Sequence, residues 1–290
     1  MTLSEALYIG TASIGRRDAL LLLEKLTKTY NICFNLYQPF LYNNSNADDS
    51  SPPLSPEAVE SFEDMLVRRF FGVPVQYILG EWEFMGLPFQ VGPDVLIPRA
   101  DTEILVETAL SCMNKKPNGS WRILDLCTGS GCIAVALAHY HSGAMVTASD
   151  ISPAALLTAQ ANARLNGVAD KIRFTESDLF DTIDGEFDII TANPPYIPTD
   201  QMDSLPTGVL EYEPKIALDG GTHGMRFYRP IIDNAKKHLT PGGILLLEVG
   251  PCETVVEYLK GNGFLDIAVI NDYAGFARVV KTHKSEVKHV

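Results

Sequence analysis

From Trp121 onward, short apolar runs alternate with longer stretches of helical periodicity, and few architectures accommodate such a pattern. The runs fall at 122–126, 144–149, 171–175, 187–192, 243–249, 264–270 and 276–281, with helical stretches near 131–140, 153–166, 225–239 and 251–260. Ser152-Pro153 marks one helix start. Strands separated by helices predict an α/β fold whose mostly parallel sheet is covered on both faces. The last two runs have no helix between them and predict an antiparallel hairpin at the sheet edge.

The chain before Trp121 has a different character. To about residue 71 it predicts helix: Leu20 to Leu23 and Leu26 fit one stretch. In another, Ser55 can cap a helix with Pro56 at its first position and Val59, Phe62, Leu66 and Phe70 on one face. Asn43 to Pro53 is polar and predicts a loop or disordered connector. Between 75 and 97, aromatic and turn residues (Tyr77, Trp82, Phe84, Gly86, Phe89, Gly92) predict a β-hairpin. Pro98-Arg99 ends it, and Asp101 can cap a helix beginning near Thr102. The expected division is a small helical docking domain at 1–72, a hairpin linker at 73–98 and the α/β domain at 99–290.

Composition narrows the function classes. At 290 residues the chain is long enough for about two domains. No apolar run of eighteen residues occurs, so no membrane span is expected. Glu5 and Asp18 interrupt any targeting segment at the start, which predicts a cytoplasmic protein. Five cysteines without Cys-x-x-Cys spacing argue against a disulfide framework and against a zinc site, and no metal is expected. A formal charge of -13 repels a phosphate backbone, so no stable direct nucleic-acid binding is expected, and a basic protein partner fits better.

The first run of the α/β region leads into Asp125-Leu126-Cys127-Thr128-Gly129-Ser130-Gly131. Gly129 and Gly131 allow a tight turn and the close approach of a ligand, and the helix that follows aims free N–H groups at the same spot. Such a glycine turn also serves nicotinamide and flavin. Three acids shift the choice. Asp125, four residues before the first glycine, would collide with a pyrophosphate but suits the ammonium of a methionine moiety. Asp150 closes the second run and can accept from both ribose hydroxyls. Asp178, after the third, can accept from an adenine amino group. Acids in that order suit S-adenosyl-L-methionine better than NAD.

The fourth run ends in Asn193-Pro194-Pro195-Tyr196. In an open α/β sheet ligands bind at strand carboxyl ends, so this tetrapeptide belongs beside the glycine turn. An amide or aromatic amine is a poor nucleophile because its lone pair is delocalised. Two acceptors on its N–H groups favour pyramidal nitrogen, and the Asn193 side-chain oxygen and the Pro194 carbonyl can supply them. The two prolines stiffen the backbone, and Tyr196 offers a face for stacking. This is the chemistry of methyl transfer to a planar nitrogen, catalysed by positioning and electrostatics. The stretch after Tyr196, to about Gly224, has no clear periodicity and predicts a lid or recognition element.

The motif alone leaves the acceptor open, because nucleic-acid amino-methyltransferases and protein glutamine methyltransferases share it. A cofactor-binding scaffold without turnover is a further alternative. The wider chain adds Arg69 to Gly80, Leu96-Ile97-Pro98-Arg99-Ala100-Asp101-Thr102-Glu103, Tyr212-Glu213-Pro214 through Gly221, and Asp272-Tyr273-Ala274-Gly275. Together these resemble the release factor glutamine methyltransferase family over nearly the whole chain from about residue 65. The resemblance implies a Rossmann-like class I S-adenosylmethionine methyltransferase domain, a hairpin linker and a helical N-terminal domain. It implies methylation of the glutamine amide in the Gly-Gly-Gln motif of class 1 peptide chain release factors. It also implies that Cys127 to Gly131, Asp150, Leu179 and Asn193 hold the cofactor, and that Asn193, Pro194, Pro195 and Tyr196 hold the glutamine. The chain departs from the family pattern at Cys127, where glycine is frequent, at Leu179, where an aromatic is frequent, and at Phe276-Ala277, where a more polar pair is common.

Overall fold

The computed structural model describes residues 1–32, 51–115 and 119–284. Most of the connector expected at 43–53 lies outside the described residues, as does Cys33. The chain forms two compact units, one of Met1–Gly80 with Thr207–Tyr212, the other of Glu81–Pro206 with Glu213–Val290.

The first unit holds α1 (Leu3–Ile14), α2 (Arg16–Thr29), α3 (Pro56–Phe70), α4 (Val75–Leu79) and, from far along the chain, α8 (Thr207–Tyr212). Thr2 and Glu5 form a reciprocal capping box on α1, and the Ser55 hydroxyl accepts from the Ala58 N–H at the start of α3. Its core joins Leu3, Leu7, Leu22, Leu23, Leu26, Phe62, Leu66 and Ile78. The buried stripe of α3 runs through Ala58, Phe62, Met65 and Leu66; its last turn leaves Phe70 68% exposed, contrary to the expected face. Residues 75–79 form a helical turn where the sequence predicted part of the hairpin.

The hairpin itself belongs to the second unit: β1 (Glu81–Phe84) pairs antiparallel with β2 (Leu87–Gln90). Met85 and Gly86 both take positive φ at its turn, which matches the right-handed twist of the strands. α5 (Ala100–Met113) follows, starting before Thr102, with Arg99 at the N-cap position and Asp101 inside the first turn rather than capping it. Next come β3 (Trp121–Leu126), α6 (Cys132–Tyr140), β4 (Ala144–Asp150), α7 (Pro153–Leu165), β5 (Ile172–Glu176), β6 (Phe187–Ala192), α9 (Tyr228–His238), β7 (Leu239–Glu248), α10 (Cys252–Gly261), β8 (Leu265–Asn271) and β9 (Ala277–His283). All seven expected strands form one sheet in the order β5-β4-β3-β6-β7-β9-β8. β5 through β7 are parallel; β9 pairs antiparallel with both β7 and β8, as the missing helix predicted.

Each face of the sheet carries its own apolar core. Helices α5 and α6 and the hairpin cover one, through Leu105, Val135, Leu137, Phe84 and Phe89. Helices α9 and α10 cover the other, through Tyr228, Ile231, Ile232, Val255 and Leu259. From β3 the chain winds outward through β4 and β5, then returns to β6 on the other side of β3. The two adjacent strands β3 and β6 therefore send their C-terminal loops in opposite directions and open a crevice.

A buried carboxylate holds that crevice together. Asp125, 0% exposed, accepts from the Thr128 hydroxyl of the turn after β3 at 2.6 Å and from the Thr191 hydroxyl of β6 at 2.7 Å. Burial pushes its pKa up to about 6, partly opposed by those two hydroxyls. The folded state thus holds this proton more tightly than the unfolded chain, with an ordinary value of 3.8, does. The resulting stabilisation is complete below pH 3.8 and is lost as pH rises through about 6. Asp125→Asn removes that dependence. Its unfolding free energy, relative to the parent, should improve by roughly 3 kcal/mol between about pH 4 and pH 7 in urea titrations at fixed ionic strength. A difference that stays constant across that range contradicts the account.

Candidate functional site

The crevice is a cavity of about 320 Å³ at the C-terminal ends of β3, β4 and β6. Its floor is the turn Cys127-Thr128-Gly129-Ser130. The Thr128 N–H reaches the Ser149 carbonyl at 2.9 Å, and the Gly131 N–H reaches the Thr128 carbonyl at 2.8 Å. Gly129, at φ 54°, has nothing within 4 Å of where a Cβ would stand, so its bare backbone faces open space. Gly131 serves packing instead: a Cβ there would lie 2.9 Å from Ala159 Cβ of α7. Two residues with side chains also take left-handed backbone at the cavity wall, Cys127 at φ 55° and Leu179 at φ 49°. Each conformation costs about 1–2 kcal/mol that glycine would avoid. At Cys127 this is a physical reason for the frequent glycine of the resembling family. The Cys127 thiol is a poor nucleophile, since burial, reinforced by Asp150, Asp125 and Asp178, raises its pKa far above the ordinary thiol value.

Asp150, the last residue of β4, lines the cavity. One of its oxygens accepts the Gly129 N–H at 2.8 Å and the other the Ser152 N–H at 2.9 Å. Those two bonds fix the carboxylate plane and leave further lone pairs for a ligand. Asp178 and Leu179 line the same cavity. At the end of β6, Asn193 and Pro195 reach it, and the Asn193 Nδ2 donates to the Thr102 hydroxyl of α5 at 3.2 Å.

Nine residues singled out from sequence therefore meet on one wall: Cys127, Thr128, Gly129, Ser130, Asp150, Asp178, Leu179, Asn193 and Pro195. Four others stand behind it. Asp125 lies beneath the floor and not in the cavity lining, each of its oxygens accepting from a threonine hydroxyl. Gly131 packs on α7, and Pro194 is buried. The Tyr196 ring lies against Gly250, where a Cβ would come within 2.6 Å of it, and burial pushes its hydroxyl up to about 12. A glycine at 220 and another at 224 complete the box, with Cβ positions 2.6 Å from the Tyr196 Cα and 2.3 Å from its carbonyl oxygen.

Sequence reasoning missed the opposite wall. It consists of Asp94 to Leu96, Pro98, Arg99 and Thr102 before and within α5, Phe227 before α9, and the one-turn helix Lys215–Ala217. Glu213 anchors the far end of the long stretch after Tyr196 beside α5. This buried carboxylate pairs with Arg99 and accepts the Ile97 N–H at 3.3 Å. Pro98-Arg99 and Tyr212-Glu213-Pro214 were both visible as motifs; their pairing across more than a hundred residues was not. Among the described residues no helix is long and apolar enough to cross a membrane, and no cluster of His, Cys, Asp and Glu is arranged to hold a metal ion.

Residues 101–207 match the methyltransferase small domain family. Among solved structures, a methyltransferase from Pyrococcus furiosus shares the fold at a TM-score of 0.50 and 18% identity, covering 77% of this chain and 99% of that one. A 16S rRNA N2 G1207 methyltransferase from T. thermophilus does so at 0.50 and 19%, covering 70% and 49%. Sequence relatives are much closer. The release factor glutamine methyltransferase of Geobacter sulfurreducens is 45% identical over 231 residues, 79% of each chain. That of Salmonella typhimurium is 40% identical over 270 residues, 91% of this chain and 90% of its own. With a seven-stranded methyltransferase sheet, an Asn-Pro-Pro-Tyr turn at its switch point and relatives of this identity and coverage, the chain belongs to the release factor glutamine methyltransferase family.

Proposed function

We propose that this chain methylates the side-chain amide nitrogen of the glutamine in the Gly-Gly-Gln motif of class 1 peptide chain release factors, with S-adenosyl-L-methionine as donor. The observation that carries the reading is the placement of Asn193. Its amide sits on the wall of a cavity at the switch point, with Nδ2 engaged by Thr102 and Oδ1 left as an acceptor. A planar nitrogen with two N–H groups is the acceptor such an oxygen suits.

The cavity residues fit the donor. Asp150, held by two backbone N–H groups, offers lone pairs to a pair of ribose hydroxyls, and exposed Asp178 offers an acceptor to an amino group. Val95, Ile151, Leu179 and Phe227 supply apolar walls for a purine, and Gly129 lets a ligand approach the backbone. When bound, the cofactor supplies an electrophilic methyl on sulfonium sulfur. Asn193 Oδ1 and the Pro194 carbonyl would draw electron density onto the substrate nitrogen and orient its lone pair toward the methyl; as the N–C bond forms and the S–C bond breaks, the nitrogen sheds one proton to solvent. Catalysis by placement of this kind is worth several orders of magnitude in rate.

The chemistry at Asn193 would serve a nucleobase amine as well. The charge of -13 favours a basic, RNA-binding protein as partner over duplex DNA, and such a substrate places the enzyme in the cytoplasm. The helical first unit is proposed as the docking element for the factor. Phe70 and Phe71, each 68% exposed and packed edge to face, are its most conspicuous apolar surface.

In a transfer assay read by peptide mass spectrometry, a class 1 release factor should gain one methyl on the Gly-Gly-Gln glutamine. Asn193→Ala should lower kcat by about a hundredfold or more, an oxyanion-hole-sized loss. Label in DNA or RNA with none on the factor would overturn the substrate. The double variant Phe70→Ser, Phe71→Ser should raise KM for intact factor several-fold while leaving a short Gly-Gly-Gln peptide unchanged. Equal losses on both substrates would remove the docking role.

A further inference from the structure

Asn193 presents its oxygen to a substrate only if its amide is held the right way round, and the structure contains the means. Glu248 ends β7, one residue beyond the pair Leu247 and Ala192 that aligns β7 with β6, so it stands beside Asn193 on the neighbouring strand. It is 2% exposed, and Thr102, which accepts from Asn193 Nδ2, is also 2% exposed. A carboxylate only accepts. Thr102 and Asn193 both hydrogen-bond the Glu248 side chain. The Thr102 hydroxyl gives its one hydrogen there and keeps a lone pair for Asn193, and that lone pair and the carboxylate both select Nδ2 over Oδ1. The reversed amide would set Oδ1 against an acceptor and Nδ2 against the substrate's own N–H groups.

We propose that Glu248 is a positioning residue for methyl transfer, acting directly and through Thr102 to fix the orientation of the Asn193 amide so that Oδ1 faces the acceptor nitrogen. The role rests on the methyl-transfer reading above. It also gives a purpose to an otherwise costly burial, since Glu248 Oε2 is enclosed without a hydrogen-bond partner.

The charge on Glu248 is what makes the selection. Its surroundings are Asp101 and Thr102 of α5, Arg278 of β9, Asn193 and Tyr196 after β6, Tyr228 of α9 and Cys132 at the start of α6. Burial pushes its pKa up to about 7; Thr102, Arg278 and Asn193 oppose that and Asp101 adds to it. Once protonated, its O–H can donate, the Thr102 hydrogen is free to turn toward Oδ1, and both amide orientations become acceptable. Transfer should therefore weaken as pH falls through about 7.

Two readouts test this in the full-length, cofactor-bound enzyme. In the first, the Asn193 side-chain NH₂ resonances, assigned by their loss in Asn193→Asp, should titrate with a midpoint near 7, become flat in Glu248→Gln and shift in Thr102→Val. In the second, kcat on release factor at pH 8 should fall at least fivefold in Glu248→Gln and Thr102→Val, with cofactor Kd within twofold, and Thr102→Ser should restore it. The low-pH limb of kcat should disappear in Glu248→Gln. Resonances indifferent to pH and to both variants would overturn the proposal whether or not the factor is methylated. So would kcat within twofold of the parent in both. Normal coupling of the resonances in an enzyme that leaves the factor unmethylated would support the positioning role and sink only the substrate assignment.

Discussion

Everything at the crevice depends on how the buried carboxylate of Asp125 is satisfied. A charge inside an apolar sheet costs several kcal/mol unless hydrogen bonds replace its water. Here the replacements come from two places that must coincide for ligand binding: Thr128 in the turn after β3 and Thr191 in β6. The glycine turn cannot drift from the strand that carries Asn193 without stranding an oxygen. A pair of hydroxyls thus converts a desolvation penalty into registration between the donor side of the cavity and the acceptor side. Asn162 does related work outside the sheet. It exchanges hydrogen bonds with both backbone groups of Gln90 and donates to the Ser130 carbonyl, so hairpin, turn and α7 share one buried amide.

The parts legible in the sequence were those encoded by neighbours in sequence. Strands and helices followed from periodicity, and a mostly parallel sheet from the alternation of the two. Gly129, Asp150 and Asn193 stood out because a turn, a strand end and a proline pair announce themselves within a few residues. The family's fold and methyltransferase identity, expected from motifs spread along the chain, agree with the relatives and the solved structures. Local signals misled where tertiary packing decides: α4 took residues expected in a hairpin, and α5 began ahead of its anticipated cap.

What escaped notice was created by the fold. Asn193 meets Thr102 across 91 residues, Arg99 meets Glu213 across 114, and Asp125 meets Thr191 across 66. No residue in those pairs carries a local signature of its partner, since threonine in a first helical turn and glutamate after tyrosine are ordinary. Asp125 looked like a ligand because an acid next to a glycine turn is exposed in the simplest picture of such a turn. The sheet buries it because β3 is flanked on both sides and Asp125 stands one residue short of the strand's end.

The box around Tyr196 bears on how such enzymes can diverge. Gly220, Gly224 and Gly250 come from two separate loops, yet each leaves the space that one tyrosine and its backbone fill. A mutation at any of the three acts as a wedge driven under the Asn-Pro-Pro-Tyr turn, although none of them lines the cavity. The side chains between Ile197 and Asp219 can therefore vary while the two ends of that excursion stay fixed against Tyr196. A sequence search keyed to the spacing of these glycines as well as to the tetrapeptide would separate chains that share this architecture from those that merely share the motif.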